Sequence, residues 1–295
     1  MADNPIFSLF LPLALGIVMI GLGLHLTLAD FRRVVTAPKA VLVALVVQSV
    51  LLPPVAFALA WAFDLPPELG LGLVLLAASP GGVTANLFSH LARGDVALNV
   101  SLTAINSALA LVTLPLWTAL GLSLLMDSTQ AVPPPTRKII EVGLIVVVPV
   151  VIGMALRAWN PALAQRLDKP VRLASTVVLV ALIAAAVVIE RETLARYATV
   201  VGLAALAFNL ASLVAGYAAA RAARLGVPQA TAIAFEIGIH NGTLAIFVAL
   251  HALQMAGAAV VPAIYSLLMY VTGGLFAWWV LRRALPKAAA GGTPH

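Results

Sequence analysis

The chain has 295 residues, of which 62% are hydrophobic, 9% are charged and none is cysteine. About a quarter of the residues of a soluble domain are charged, so the composition excludes a soluble protein and predicts an all-α polytopic membrane protein, without disulfides, thiolate metal sites or a cysteine nucleophile. The formal net charge of +6 comes from basic residues at the ends of apolar runs, which argues against a nucleic-acid partner.

Nine apolar runs follow one another along the chain, and a transmembrane helix needs about 20 such residues. The first run is too long for a signal peptide and lacks a small-residue cleavage site, so we expect it to be a span. Loop-like segments separate the runs. The nine predicted spans are 6–28, 39–62, 68–91, 97–126, 138–157, 172–190, 197–220, 228–253 and 259–281.

The basic residues predict the orientation of these spans. When the first connecting loop is placed in the cytoplasm, thirteen of the seventeen Lys and Arg residues fall on the cytoplasmic side and four on the other. This bias follows the positive-inside rule, so we expect the N-terminus outside the cell and the C-terminus in the cytoplasm. We expect the protein to lie in the inner (plasma) membrane, where the lipid bilayer surrounds it. The sequence indicates no obligate protein partner.

Two stretches, 48–87 and 209–246, show the same order of features. Each begins with an amide side chain, Gln48 or Asn209, and continues through an apolar helix, a short proline loop and a second apolar helix. Each ends at a glycine interruption with a polar cluster. The first cluster lies in the third span and the second in the eighth, which runs the opposite way. Paired interruptions of this kind are typical of secondary transporters with inverted repeats.

The glycine clusters predict two broken helices. Pro80 has no amide hydrogen and disfavours helix at the residue before it, while Gly81 and Gly82 lower the cost of unwinding. Asn241 and Gly242 predict a similar break in the eighth span. Each second half-helix would begin near the middle of the membrane with free N–H groups, which would favour an anionic substrate.

Glu236 is the only acidic residue near the centre of a predicted span. A carboxylate there costs about 3 kcal/mol or more, so something must compensate it. It is either a protonated acid bonded to a neighbouring helix or a carboxylate neutralised by a bound cation. A hard cation such as Na⁺ prefers oxygen ligands. Side-chain oxygens at similar depth come from Gln48, Thr84, Asn86, Asn99, Ser101, Thr103, Asn106 and Ser107.

His240 follows Glu236 by four residues and would share its face if the helix were continuous between them. Three interpretations stay open: a packed and hydrogen-bonded side chain, a proton-carrying partner of Glu236, and a substrate contact in a cavity. His25, His90 and His251 lie near the ends of spans, and we assign them no role.

At these residues the chain resembles the bile acid:sodium symporter family. The resemblance covers nearly the whole chain and is densest in 78-ASPGGVTANLFSHLARGDVALNVSLTAINS-107 and 235-FEIGIHNGTLA-245. It implies one transmembrane transporter domain, 1–295. Spans 2–4 and 7–9 (39–126 and 197–281) would form a core, and spans 1, 5 and 6 (6–28 and 138–190) a panel. The discontinuous spans 3 and 8 would cross in the core beside the sodium sites.

The resemblance also implies two sodium sites. The first would use Glu236, Asn86, Asn99 and Thr103. The second would use Gln48, Glu236, position 240 and the backbone carbonyls of Ile237 and Ile239. Relatives carry serine where this chain has Ala85 and Asn99, and glutamine where it has His240. Imidazole is a poorer ligand than an amide oxygen for a hard cation, so the expected coupling ions are one or two Na⁺, with the second site weakened.

The implied function is sodium-driven secondary active transport of an organic monoanion into the cell by alternating access. A bile acid, pantoate or a 2-keto acid would suit as substrate. Candidate substrate-binding residues are Thr84, Asn241, Gly242, Tyr270 and Thr272. The main alternative is a proton-coupled or uncoupled anion transporter of the same fold, and a channel or structural membrane protein is a further one. An intramembrane enzyme would need a second buried acid or a motif such as HExxH, which the sequence lacks.

Overall fold

The computed structural model describes residues 13, 15–21, 23–24, 27, 33–126, 136–189 and 191–284. This part of the chain is almost entirely helical and contains no named β-strand; one isolated bridge joins Gly81 and His240. A helical stretch at 15–21 and a single turn, Arg33–Thr36, come first. The helices that follow are α1 (Pro38–Ala62), α2 (Pro67–Ala78), α3 (Val83–Leu91), α4 (Val96–Leu125), α5 (Thr136–Trp159), α6 (Pro161–Ile189), α7 (Arg191–Ala222), α8 (Val227–Gly238), α9 (Gly242–Ala252) and α10 (Gly257–Ala284).

Helices occupy the positions of the second to ninth predicted spans, and the third and eighth are each interrupted. The interruptions fall at 79–82 and 239–241, where the sequence predicted them. The predicted first span, 6–28, lies largely outside the described residues. By length and composition, α1, α7 and α10 are each able to cross a membrane, and the two halves of α4 together make a fourth candidate. The composition and these helices show an all-α membrane protein.

The helix α1 contains a π turn at Val47–Leu51, and the sequence explains it. Pro53 and Pro54 follow one residue later and have no amide hydrogen, so carbonyls of the preceding turn lose their ordinary donors. The Trp117 indole of α4 replaces one of these donors and bonds the Ser49 carbonyl at 3.0 Å. Turns of this type are frequent at functional sites.

The helix α4 is bent by 55° between Val96–Ala110 and Val112–Leu125. Its N-terminus is capped by Asp95, whose carboxylate accepts from the Leu98 amide at 2.9 Å. Pro115 lies in the second half and has no amide hydrogen for the carbonyl of residue 111, which is the residue at the bend. The apolar run alone does not indicate this bend.

The helices α2 and α8 form the buried centre of the described structure. Every residue of α2 from Leu69 to Ala78, and of α8 from Ala230 to Gly238, is buried. The helix α2 packs against α1, α4 and α10, and α8 packs against α3, α4 and α7. Both interruptions follow directly after these two helices, so they lie inside the protein, where unwound backbone is tolerated.

Candidate functional site

The two interruptions contact each other through the antiparallel bridge. Two backbone hydrogen bonds hold it: the amides of Gly82 and Asn241 donate to the carbonyls of Ile239 and Pro80, at 2.7 and 2.9 Å. Buried backbone donors need such partners, because an unsatisfied N–H group is costly in the membrane. The pairing therefore gives the amides of Gly82 and Asn241 hydrogen-bond partners and holds the two interruptions against each other. We call the place where they meet the crossing point.

Side chains satisfy the carbonyls at the first interruption. The Gln48 amide of α1 donates to the carbonyls of Ala77 and Ser79, at 3.0 and 2.9 Å. The Ser79 hydroxyl donates to the carbonyls of Leu75 and Leu76 in the preceding turn, at 3.0 and 2.8 Å. The last carbonyls of a helix have no donor within the helix, so these bonds stabilise the C-terminus of α2.

The second interruption is held in the same way by α7 and α10. The Asn209 amide of α7 donates to the Gly238 carbonyl at 2.9 Å, and the Tyr265 hydroxyl of α10 donates to the same carbonyl at 2.8 Å. The Asn209 side-chain oxygen accepts from the Thr272 hydroxyl of α10 at 2.5 Å. Thr272, a predicted substrate-binding residue, therefore bonds a structural amide in this conformation.

The carboxylate of Glu236 lies at the crossing point and is fully buried. One oxygen accepts from the Thr103 hydroxyl at 2.6 Å and the other from the Asn106 amide at 3.0 Å, both on α4. The Gly81 amide donates to the same carboxylate. A Cβ atom at Gly81 would overlap this carboxylate, so only glycine permits the close approach. None of the three donors carries a charge that would balance Glu236.

Four buried side-chain amide oxygens have no hydrogen-bond partner among the described residues, and the same holds for the Nε2 atom of His240 at the crossing point. Asn99 donates its amide to the Ala232 carbonyl of α8 at 2.6 Å, while its own oxygen is unpaired. The amide oxygens of Gln48, Asn86 and Asn106 are unpaired as well. An unpaired buried oxygen is unfavourable by about 1–3 kcal/mol. The arrangement therefore favours a bound, positively charged ligand.

The donors present fit a hard monovalent cation such as Na⁺. They are one carboxylate, hydroxyls and amide oxygens, and hard cations prefer oxygen. Within the described ranges no three His, Cys, Asp or Glu side chains come together, so the donor set does not suit a transition metal. Of the residues predicted for the first sodium site, Thr103 and Glu236 bond each other, Asn99 bonds the helix that carries Glu236, and Asn86 lies in the first turn of α3.

His240 and Glu236 do not lie on one continuous helix, because α8 ends at Gly238. The imidazole Nδ1 of His240 lies 3.2 Å from the Ser79 carbonyl, across the crossing point. The ring stacks on Phe208 of α7, with centroids 5.6 Å apart. The shared helix face that a pairing of His240 with Glu236 assumed is therefore not formed. The ring is packed and its Nδ1 faces a carbonyl, but its Nε2 is buried without a partner among the described residues, so the role of His240 stays a prediction.

The carbonyls of Ile237 and Ile239, predicted for the second sodium site, differ in availability. In a continuous helix the Asn241 amide would bond the Ile237 carbonyl, but it donates to Pro80 instead. The Ile239 carbonyl accepts from the Gly82 amide. The interruption therefore releases the first carbonyl from its helical donor and engages the second in the bridge.

The interrupted helices offer fewer amide groups to an anion than the sequence suggests. The amides of Gly81, Gly82, Asn241, Gly242 and Leu244 all donate to protein oxygens. The last of these bonds is an N-cap, in which the Asn241 side chain accepts from Leu244 at 3.0 Å. These N–H groups are therefore not free in this conformation.

The other predicted substrate-binding residues lie in different surroundings. Thr84 is partly exposed in the first turn of α3. Tyr270 of α10 stacks on Phe88, with ring centroids 6.2 Å apart. Gly242 packs so closely on α10 that a Cβ atom would overlap the Ser266 hydroxyl. The structure brings Asn241 and Gly242 to the crossing point, whereas Tyr270 belongs to an aromatic cluster beside it.

Three contributors to the crossing point were missed by sequence reasoning: Ser79, Asn209 and Tyr265. A signal existed for Asn209, which begins the second repeated stretch where Gln48 begins the first. Ser79 and Tyr265 act through tertiary bonds that no local pattern marks.

A single buried carboxylate at the crossing of two interrupted helices defines an integral membrane protein that handles a small ion. Comparison with known sequences is consistent with this class. The sequence model of the sodium bile acid symporter family matches residues 12–197, more than half of the chain, and the chain belongs to this family. It is therefore a membrane transporter.

Relatives in the family come from bacteria, plants and animals. The uncharacterized sodium-dependent transporter YocS of Bacillus subtilis (strain 168) is 29% identical over 272 residues, which cover 92% of this chain and 79% of YocS. The probable sodium/metabolite cotransporter BASS1 of Arabidopsis thaliana is 28% identical over 283 residues, 92% of this chain and 67% of BASS1. The P3 protein of Homo sapiens is 30% identical over 269 residues, 90% of this chain. The chain spans 56% of its length, just over half.

Proposed function

We propose that the protein is a sodium-coupled secondary active transporter that takes up an organic monoanion. The observation that carries the proposal is the fully buried carboxylate of Glu236, whose donors Thr103, Asn106 and Gly81 are all uncharged. A buried carboxylate with uncharged neighbours is strongly unfavourable unless it binds a cation or takes up a proton. Family membership and the relatives described as sodium-dependent support Na⁺ as this cation.

Sodium would couple to the anion through the crossing point. Na⁺ at Glu236 balances the negative charge, and it can be coordinated by the unpaired oxygens of residues such as Asn99. An anion binding near the crossing then meets a neutral site instead of a carboxylate, so each cargo favours binding of the other. Alternating access follows when the loaded core moves against the panel.

The proposed architecture has nine spans in two inverted repeats. The bonds at the two interruptions support the repeat, because Gln48 bonds Ala77 and Asn209 bonds Gly238, and each pair is 29 positions apart. In this scheme α1 and α2 correspond to α7 and α8. Helices α1–α4 and α7–α10 form the core, and the first span forms the panel with α5 and α6.

The proposed substrate is a small carboxylate, such as pantoate or a 2-keto acid, or a bile acid. The family's description names bile acids, and BASS1 is described as a sodium/metabolite cotransporter. Thr84, Asn241, Gly242, Tyr270 and Thr272 stay the candidates for its binding. Since several N–H groups at the crossing and the Thr272 hydroxyl are engaged here, we expect the anion site to open when the core moves.

A thermal-shift screen tests the proposal and covers many candidate substrates at once. Purified protein is heated with each of a set of small carboxylates, in NaCl or in KCl of equal ionic strength. A ligand at 100 times its Kd stabilises the folded state by about 2.7 kcal/mol. We expect at least one carboxylate to raise the unfolding temperature in NaCl and not in KCl. Equal shifts in both salts would contradict sodium coupling.

Uptake by proteoliposomes then separates a transporter from a channel. The carboxylate found in the screen is supplied outside, with or without an inward sodium gradient. We expect accumulation above the outside concentration only with the gradient. Uptake that merely equilibrates would indicate a channel, and uptake driven by a pH gradient without sodium would indicate the proton-coupled alternative.

The proposed orientation is tested with single cysteines in this cysteine-free chain. Gln165 and Glu192 are both exposed and lie on opposite predicted sides of the membrane. Glu192→Cys should react with an impermeant thiol reagent on intact cells, and Gln165→Cys only after permeabilisation. The reverse pattern would invert the topology.

A further inference from the structure

A small cleft opens beside the crossing point, between the π turn of α1 and the bend of α4. Its lining includes Gln48, Pro80, Asn106, Thr113 and Trp117. Pro80 belongs to the first interruption, so the cleft reaches the crossing point itself. Two amide side chains from different helices, Gln48 and Asn106, therefore border the same space.

Each of these two amides presents an oxygen without a partner. Gln48 donates its amide group to the two carbonyls at the first interruption, and Asn106 donates to the Glu236 carboxylate. These bonds orient both amides, because the nitrogen must point at its acceptor and this fixes the direction of the oxygen on the same carbon. Neither oxygen has a hydrogen-bond partner in the described part of the chain. Such oxygens mark a place for a cation or a hydrogen-bond donor.

The π turn releases a backbone oxygen at the same place. The Leu52 amide donates to the Val47 carbonyl, five residues back. Pro53, the next residue, has no amide hydrogen. The Gln48 carbonyl is therefore left without a donor in the turn that follows it. The distortion of α1 thus leaves a second oxygen of Gln48, a residue that borders the cleft, without a helical donor.

The chemistry of the cleft favours a sodium ion over an organic ligand. The residues that border it are uncharged, and one of them, Asn106, bonds the Glu236 carboxylate at 3.0 Å. A small set of neutral oxygens beside one carboxylate is the donor set that hard cations prefer. An organic anion would be repelled by Glu236.

We propose that Asn106 is a sodium ligand, and that the second sodium ion binds in this cleft, held by Gln48 and Asn106 with Glu236, and not by His240. The inference rests on the proposed sodium coupling and deepens it. Replacement of the family's glutamine by His240 then does not remove the second ion, because an amide from α4 takes its place.

The surroundings of His240 agree with this assignment. Its Nδ1 lies 3.2 Å from the Ser79 carbonyl, and its ring packs against Phe208 and Tyr265, each with centroids 5.6 Å apart. These aromatic contacts fix the orientation of the imidazole. Its Nε2 has no partner among the described residues, but a ring nitrogen is a poorer ligand than an amide oxygen for a hard cation. The amide of Asn106, in contrast, directly bonds the carboxylate that both ions would share.

A sodium titration followed by tryptophan fluorescence tests the proposal. Trp117 borders the cleft and bonds the Ser49 carbonyl, next to Gln48, so it is a built-in reporter, and Trp117→Phe identifies its signal. The purified full chain is titrated with NaCl at constant ionic strength, as wild type, Asn106→Leu, Gln48→Met and the double variant. Thr118→Val removes a buried hydroxyl of α4 that bonds only its own helix, and is the matched control.

We expect a Hill coefficient toward two for the wild type and the control, and about one for Asn106→Leu and Gln48→Met. The sodium concentration at half-saturation should rise about 10- to 100-fold in each single variant, as for other losses around a metal site. The double variant should be no worse than the singles, because two ligands of one ion are coupled. If the two substitutions instead damaged the structure independently, their effects on sodium binding would add in the double variant.

Three results would overturn the inference. They are a wild-type titration curve retained in Asn106→Leu, additive effects in the double variant, and a Hill coefficient that rises from about one toward two only in His240→Gln. If the wild type still shows sodium-driven uptake, these results refute only the assignment of Asn106 as a sodium ligand and leave the proposed function standing. A titration without any sodium response, together with uptake that ignores sodium, would remove the proposed function as well.

Discussion

The two helix interruptions are built alike but are completed differently. At each one, an amide side chain from a neighbouring helix, Gln48 or Asn209, bonds a carbonyl 29 positions further along the chain. The Asn209 oxygen accepts from the Thr272 hydroxyl, whereas the Gln48 oxygen has no partner among the described residues. The Asn209 side chain is therefore fully bonded within the protein, whereas the Gln48 side chain keeps an amide oxygen open for a ligand.

This difference separates stability from ion binding. The bonds of Asn209, Tyr265 and Thr272 serve the folded state whether or not sodium is present. The unpaired oxygens around the first interruption are unfavourable until a ligand satisfies them, so in the proposed mechanism they would couple sodium binding to the shape of the crossing point. Glu236 comes from the second half of the chain and accepts a hydrogen bond from the Gly81 amide in the first half. This contact connects the interruption that serves stability with the one that has unpaired oxygens.

The largest expected effect comes from removing the charge at the crossing. Glu236→Gln keeps the shape and one oxygen of the side chain but no longer balances Na⁺. We expect sodium-dependent uptake of the substrate to be abolished in proteoliposomes, with the protein still present in the membrane. A variant that transports normally, with only a modest change in its sodium requirement, would contradict the central role of Glu236.

Glycine substitutions compare the two interruptions directly. The Cβ atom of Gly81→Ala would overlap the Glu236 carboxylate, so this variant should weaken sodium binding about 10- to 100-fold. The Cβ atom of Gly242→Ala would overlap the Ser266 hydroxyl and lie 3.2 Å from the Ser266 Cβ atom, so this variant should mainly destabilise, by about 1–3 kcal/mol. Sodium titration and thermal unfolding measure the two effects.

A second-site change is the control for this comparison. Ser266→Ala removes the hydroxyl that Gly242→Ala would meet, so the double variant should recover most of the lost stability. Ser266→Ala should not restore sodium binding to Gly81→Ala. Rescue of both glycine variants would mean that the two interruptions do not differ as described.

Asn209→Leu should destabilise the protein without changing its response to sodium. The variant leaves the Thr272 hydroxyl without its side-chain acceptor and removes one of the two side-chain donors from the Gly238 carbonyl, so we expect a loss of about 1–3 kcal/mol. The loss should be equal in NaCl and KCl. Gln48→Met, the corresponding change at the first interruption, should lose stability mainly in NaCl. If the stability of both variants depended on the salt in the same way, the proposed difference between the two interruptions would be wrong.

The smallest effect is expected for Thr272→Val. The hydroxyl bonds Asn209 and its own helix at Leu268, so its removal should cost about 1 kcal/mol of stability. Unchanged substrate affinity in this variant would assign Thr272 a structural role at the second interruption. A weaker substrate affinity at normal stability would instead support its predicted role in substrate binding.

The sequence predicts the features that follow from single residues. Proline and glycine at 80–82, and Asn-Gly at 241–242, weaken helix locally, so both interruptions fall where expected. The isolation of Glu236 in an apolar run marks it without any structure, because an unpaired carboxylate there needs a specific partner.

Features that depend on tertiary contacts were not predictable in this way. Whether His240 shares a face with Glu236 depends on the residue at which α8 ends, and the bridge between the two interruptions sets that end. Local patterns likewise do not show that Tyr265 bonds the Gly238 carbonyl, or that the bend of α4 places Asn106 beside a cleft.

The most direct test of the account is the effect of sodium on the stability of the purified protein, without any organic substrate. Wild type and Glu236→Gln are unfolded by heat in NaCl and in KCl of equal ionic strength. Because a ligand that binds only the folded state raises its stability, we expect NaCl to raise the unfolding temperature of the wild type and to leave that of Glu236→Gln unchanged. A wild type that unfolds at the same temperature in both salts, or a Glu236→Gln variant that sodium still stabilises, would contradict a sodium site built on this carboxylate.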